Sequence, residues 1–344
     1  MRLNHVYFIL LLLLASISLP ATNHPSPIQL QHVNTKGYVV RVVYRDVNGI
    51  LWLGTTSGLV TLPQLASRNP SAYHRTMPEP NTSVRDISGD SQGRMWIKTH
   101  YNVNYLYDPR KCDAVEDTPA MLLQKGIKVE GEYTVAADTL DNVWVYCANR
   151  FYWLPKDAAK ARQIAIASHE QILKVVVDGQ RAIAMSTKAC YTIDTKNWRM
   201  LRRVPLPEGH NFRDHIYFTG DGTPWIWASN KLWRYEGGQW VMTVLNSSSD
   251  ITAVAQDADK RLWISCQSDG IFISDLRGNM LSHMLHIPGN PYGLQSNRVE
   301  NLSYDDIGNI MWIAYTKGGL SLHTTNHTPA QLHTIQTPSS ITQQ

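Results

Sequence analysis

The sequence predicts an all-β fold, a seven-bladed β-propeller of four-stranded antiparallel blades. Three observations predict it. First, a polar turn with an Asp six residues before a Trp recurs: Asp46 to Trp52, Asp90 to Trp96, Asp257 to Trp263 and Asp306 to Trp312. A weaker copy runs from Asp138 to Trp144, and two degenerate copies are centred on Trp225 and on Ala184, where Ala replaces the Trp. Second, the centres at 52, 96, 144, 184, 225, 263 and 312 stand 38 to 49 residues apart, a period of one blade per repeat. Third, the flanks agree. An apolar strand precedes the Asp (Val40 to Tyr44, Ile251 to Ala255), and a small turn and further strand follow the Trp (Ser57 to Leu62, Asp269 to Ile273).

These elements have a physical logic. One four-stranded sheet cannot bury both faces, whereas sheets stacked radially bury their faces against each other. The Trp is the wedge between blades, and Gly allows the tight turn before it. The repeated Trp, Asp and Gly residues are therefore read as architecture, not as a site.

Taken in order, the chain opens with an apolar run, Val6 to Leu14, behind Arg2 and before a small-residue exit at Ser16 to Ala21. This reads as a secretory signal peptide over residues 1–21, too short for a membrane span, and predicts a periplasmic protein with no span once it is removed. The propeller is expected over 28–336. Within it, Ile28 to Val33 alternates like a strand and is a candidate outer strand for the last blade. Closing the ring in this way removes exposed edges. A short helical piece is expected at 156–163. Residues 331–336 offer another outer strand, and 337–344 read as a disordered tail.

Composition bounds function. The 344 residues are 43% hydrophobic with a net charge of +4, and no Lys/Arg run exists. Nucleic acid is set aside. Cys112, Cys147, Cys190 and Cys266 fall in different blades with no metal spacing, so neither a zinc site nor a disulfide framework is expected. Their placement leaves room for a Cys147–Cys190 bridge between adjacent blades.

The repeats resemble the two-component regulator propeller repeat. The copy nearest to it is Asp46 through Leu62, with Leu51-Trp52-Leu53-Gly54-Thr55-Thr56-Ser57-Gly58-Leu59, and Asn290 to Val299 resembles that family's lead-in to a blade. The resemblance covers about residues 28 to 323. It implies the periplasmic part of a hybrid two-component sensor, which detects oligosaccharides released from a polysaccharide. The implied order is two propellers, a β-sandwich, a membrane span, a histidine kinase, a receiver and a DNA-binding domain. This chain has one ring of repeats and no kinase. Two expectations follow: a truncated sensor, or a free-standing exported propeller whose partner is a second propeller or a membrane kinase.

Candidate site residues come from the rim carrying the loops between second and third strands. Five or six residues beyond each centre stand Ser57, Tyr101, Arg150, Lys188, Lys231, Asp269 and Lys317. Arg150, Lys188 and Lys231 lie on neighbouring blades and would form a cationic arc. Arg298 enters the same rim. The expected ligand-binding residues are His100, Tyr101, Arg150, Lys188, Lys231, Arg298 and Lys317, for an oligosaccharide that is anionic or polyhydroxylated. Arg would pair with a carboxylate or sulfate and Tyr101 would stack on a sugar face. The plain alternative is that Lys and Arg at turns are solvated charges. A second reading is a protein-interaction scaffold. A third is a propeller lyase or hydrolase using Asp86, His215 and Glu300 from inner strands, though no catalytic, metal or cofactor motif accompanies them.

Overall fold

Each repeat folds as one antiparallel sheet of four strands, and seven such sheets make the ring. The structure is a computed structural model. It describes residues 28–325, except 63–70, 73–81, 101–102, 112–114, 139, 148–149, 168, 179–180, 195–198 and 214. The expected leader, the candidate strand at 331–336 and the tail lie outside the described residues.

The inner strands, in blade order, are Val40–Arg45, Val84–Gly89, Tyr133–Ala137, Ile172–Asp178, Ile216–Phe218, Ile251–Gln256 and Val299–Asp305. Blade seven takes its outer strand from the start of the chain. Gln31–Val33 pairs antiparallel with Leu320–Thr324, and Leu30 is buried against blades six and seven.

Seven apolar clusters hold the ring, and each sits between two blades. Trp52 shares one with Met95 and Ile97 of blade two, and Trp96 shares one with Val143 and Val145 of blade three. Trp144 meets Ala182 and Ala184 of blade four, and Trp225 meets Leu262 and Ile264 of blade six. Trp263 meets Met311 and Ile313, and Trp312 meets Leu51 and Leu53 of blade one. The wedge expected from the sequence is thus the interface itself.

The Asp of the repeat has a specific task. Asp46, Asp90, Asp138 and Asp257 each follow an inner strand and close a four-residue turn by donating their N–H to the carbonyl four residues on. The carboxylate accepts the amide at that same position, from Ile50, Arg94, Asn142 and Arg261. In blades one, three and six it also accepts the indole N–H of the Trp, at 2.9, 3.1 and 2.7 Å. A short side chain is needed to reach both, which explains Asp at a spacing of six. The position before the amide donor is left-handed: Gly49 and Gly93 at φ 79° and 78° in blades one and two, Asp141 and Lys260 in blades three and six.

Blade four departs from the expected register. Val176 lies opposite Ile183, as Tyr44 lies opposite Trp52. Ile183, not Ala184, therefore holds the Trp place. Ile183 packs toward Ile226 and Ala228 of blade five, while Ala184 faces back to Trp144. The turn of blade four is one residue shorter, and a one-residue slip reverses the face of every side chain. A different device tightens this blade. Glu170, only 2% exposed, accepts from the Ser186 and Tyr191 hydroxyls and from Arg203 Nη2, each on a different strand. Burial pushes its carboxyl up, but these bonds and the Arg203 charge outweigh that and hold it below the ordinary value.

Two smaller expectations are corrected. Residues 156–163 form turns leading into an outer strand, Arg162–Ile164, while the α-helix is Thr118–Gln124. Pro119 sits in its first turn and left-handed Gly126 follows it. Cys147 and Cys190 are separate buried thiols, as is Cys266. Burial pushes Cys190 up to about 12 and Cys266 up to about 11.

Candidate functional site: the channel mouth

Inner strands start at the same rim as the loops between second and third strands. Six backbone bonds show this directly, each joining one such loop to the start of an inner strand or to the segment leading into it. They are Thr56 to Val39, His100 to Ser83, Thr187 to Gln171, Ile251 to Ser229, Gln267 to Asp250 and Thr316 to Arg298.

At this rim the inner strands are irregular. Five of the seven carry a register shift at their second residue, namely Arg41, Arg85, Leu173, Thr252 and Glu300. A bulge breaks the pleat and re-aims side chains next to it. The result is a ring of polar groups around the channel mouth. Arg41 Nη1 pairs with Glu300 between blades one and seven, and Asn301 Nδ2 donates to the Arg41 carbonyl at 2.8 Å. Lys174 Nζ donates to Asp86 Oδ2 at 2.8 Å. Blades two and four are not neighbours, so this pair spans the front of blade three inside the channel. Beneath it, Lys98 Nζ donates to Thr134 Oγ1 of blade three at 2.5 Å. On blade six, Thr252 Oγ1 donates to the Val299 carbonyl at 2.9 Å.

These pairs stay open to water. Side-chain exposure is 42% for Asp86 and 29% for Lys174, 37% for Arg41 and 26% for Glu300. Exposed pairs of this kind are worth roughly 0.2–1 kcal/mol. They do little to hold the ring and are accessible to a solute.

The expected rim residues occupy the outer part of this mouth. His100 is exposed in the loop of blade two, and Tyr101 lies outside the described residues. Arg150 begins the third strand of blade three and is exposed. It faces acid: a hydrogen bond from Lys128, then the charges of Lys128 and Arg150, hold the Glu130 carboxyl below its usual value. Lys188 is exposed on blade four. Lys231 is half-buried at the start of its strand, between Ala228 and Val244. Arg298 and Lys317 are exposed on adjoining segments, brought together by the Thr316–Arg298 bond. The arc is thus interrupted at blade three by Glu130. On blade six Asp269 accepts from Ser247 Oγ and from the amide and hydroxyl of Ser248, and the Ser247 bond in particular keeps its carboxyl low.

Of the three groups considered for catalysis, Asp86 and Glu300 are each engaged by a cation. The ring of His215 stacks on Trp227 at 5.2 Å. Among the described residues no three His, Cys, Asp or Glu side chains stand close enough to hold a metal ion. Sequence reasoning missed Lys174 and Arg41. Their signal was a charge near the start of an otherwise apolar inner strand, in Val40-Arg41-Val42-Val43 and Ile172-Leu173-Lys174-Val175.

Comparison with known proteins adds the following. The propeller resembles the extracellular domains described for the hybrid two-component systems BT4673 and BT3049 from B. thetaiotaomicron. Identities are 18% and 20% and TM-scores 0.66 and 0.65, over 86% of this chain. It spans only 39% and 42% of those chains. Virginiamycin B lyase from Staphylococcus aureus matches at 13% identity and TM-score 0.61, over 87% of this chain and all of the lyase. At such identities these likenesses establish the fold alone. No curated protein sequence matches the chain. No helix among the described residues is long and apolar enough to cross a membrane. Residues 78–101, the inner strand of blade two with its Asp90–Trp96 turn, match the two component regulator propeller family. The match covers that one repeat, and there the chain is similar to the two-component regulator propeller family.

Proposed function

We propose that the chain is an exported sensor propeller that binds an oligosaccharide at the channel mouth for two-component signalling. The observation that carries the reading is the family repeat itself. Its support is that two proteins of the same architecture are described as extracellular domains of hybrid two-component systems. The chain spans about two fifths of those extracellular domains. Under this reading a second propeller or a membrane kinase supplies the signalling output.

The test is a thermal-shift screen of acidic and neutral oligosaccharides. Saturating ligand stabilises the native state by RT ln(1 + [L]/Kd), about 2.7 kcal/mol at one hundred times Kd. A shift with one glycan class supports the reading; a flat screen on folded protein sinks it for the isolated propeller.

One observation favours a second reading, an interaction scaffold. Outer strands of blades four, five and six expose Met200 and Leu201, Met242 and Val244, and Met280 and Leu281. Replacing Leu201, Val244 and Leu281 by Ser would abolish partner capture under that reading and leave glycan binding untouched under the first.

A further inference from the structure

We infer that the channel mouth is an anion site whose cations, Lys174 and Arg41, are held by the chain's own carboxylates until a ligand carboxylate or sulfate replaces them. The inference rests on the sensor reading above and gives its ligand a chemical class.

Position is the first argument. Lys174 and Asp86 come from blades two apart and meet at 2.8 Å within the channel. Arg41 and Glu300 meet across the seam between blades one and seven. Both pairs therefore face the one space into which a solute at the rim would enter. The second argument is energetic. Half-open ion pairs contribute little to stability, so the fold has no strong need of them. Small polar side chains would fill the same mouth without the cost of drawing charges partly out of water. The third is the sign of the adjoining rim. Arg298 and Lys317 are exposed there, ahead of and on blade seven, so an anionic ligand approaching the Arg41–Glu300 pair would be attracted where a cationic one would be repelled.

Recognition is then an exchange of partners. The ligand anion takes the Lys174 ammonium, and Asp86 swings to water. The internal carboxylate acts as a competitor and sets the threshold concentration for binding. A neutral sugar gains nothing from the exchange. Salt weakens the anion's binding by screening.

The experiment uses glucuronate and glucose, which differ by one carboxylate, with affinity read from the shift in thermal midpoint against concentration. Four proteins are compared: wild type, Asp86→Asn, Lys174→Met and the double variant. Asp86→Asn is expected to bind glucuronate about fivefold more tightly, the equivalent of about 1 kcal/mol for an exposed pair. Its unliganded midpoint should fall slightly, since a partner is lost. Lys174→Met is expected to lose a similar factor, and the double variant to bind no better than Lys174→Met. Glucose should not distinguish the four. A merely structural pair would lower stability and affinity together, so a rise in affinity in Asp86→Asn is the diagnostic sign. Equal glucuronate binding by wild type and Asp86→Asn, or no response in either, overturns the inference. If neutral oligosaccharides still shift the wild type in the wider screen, the sensor reading survives that failure. If they do not, both fall.

Discussion

Blades six and seven carry the same signature in sequence and close it differently. Asp257 and Trp263 are six residues apart, as are Asp306 and Trp312. In blade six the carboxylate ties the turn, the Arg261 guanidinium and the indole together. In blade seven the inner strand runs on through Asp305, and the turn is one residue longer. Asp305, buried, takes the capping place, accepts the Gly308 amide and binds Arg45 of blade one. Asp306 is exposed, and the Trp312 indole N–H has no hydrogen-bond partner among the described residues. Spacing alone therefore does not make the lock. The Asp must also stand two residues beyond the one that faces the Trp across the sheet, which is Asp257 in blade six and Asp305, not Asp306, in blade seven. What blade seven loses within itself it recovers as a tie across the seam.

The comparison can be broken most forcefully at its shared part. Trp263→Ala should cost about 3–5 kcal/mol in chemical denaturation, because it opens a cavity between blades. A loss below about 1 kcal/mol would mean that the wedge is dispensable. Blade four extends the contrast, since its turn is short, its Trp place holds Ile183, and Glu170 ties its strands instead. Glu170→Gln should cost about 2 kcal/mol at neutral pH, the worth of hydrogen bonds to a charged group. The sign with pH follows from the lowered carboxyl. Its contribution is complete above the unfolded value near 4.5 and disappears as pH falls through the folded value. The wild type should lose stability over that acid range more steeply than Glu170→Gln, and parallel pH curves would refute the assignment.

A finer cut separates blades six and seven. Trp263→Phe should cost about 1 kcal/mol more than Trp312→Phe, since only the first removes a hydrogen bond to a buried carboxylate. Equal costs would erase the distinction drawn above. The smallest expected effect concerns the thiols. Cys147, Cys190 and Cys266 are buried, and their thiols are pushed up by burial, so a thiol reagent should leave them unmodified in native protein and label them on unfolding.

Much of the ring was legible because its determinants are local. The Asp-turn-Trp unit spans nine residues at most, and strand alternation accompanies it. Even the outer strand of the last blade could be read near Val33, as an alternating segment ahead of the first repeat. Where reading failed, a single residue of turn length had changed. Centring blade four on Ala184, and counting six back from Trp312 to Asp306, both ignored the register of the strand. The site was less legible for a related reason. Asp86 and Glu300 were noticed as carboxylates on inner strands, but their cations stand 88 and 259 residues away. Only closure of the ring brings such residues together. The rim cations could be placed by counting, whereas Glu130, which interrupts their arc, comes from a lead-in segment of no fixed length.

The short strand Gln31–Val33 carries a kinetic consequence. His32 Nδ1 meets Ser321 Oγ at 2.8 Å from 289 residues away. Bringing ends so far apart together costs roughly 5 kcal/mol of chain entropy on the logarithmic scale for flexible loops. The contact becomes favourable only once the intervening blades have shortened that loop by folding. The clasp should therefore be the last part to form and the first to open. Hydrogen exchange would show it as amides of Gln31–Val33 releasing their protons well before those of Leu262–Cys266, at the centre of blade six. A ring that opens at one seam has a direction, and its lifetime is set by three residues at the edge of its last sheet.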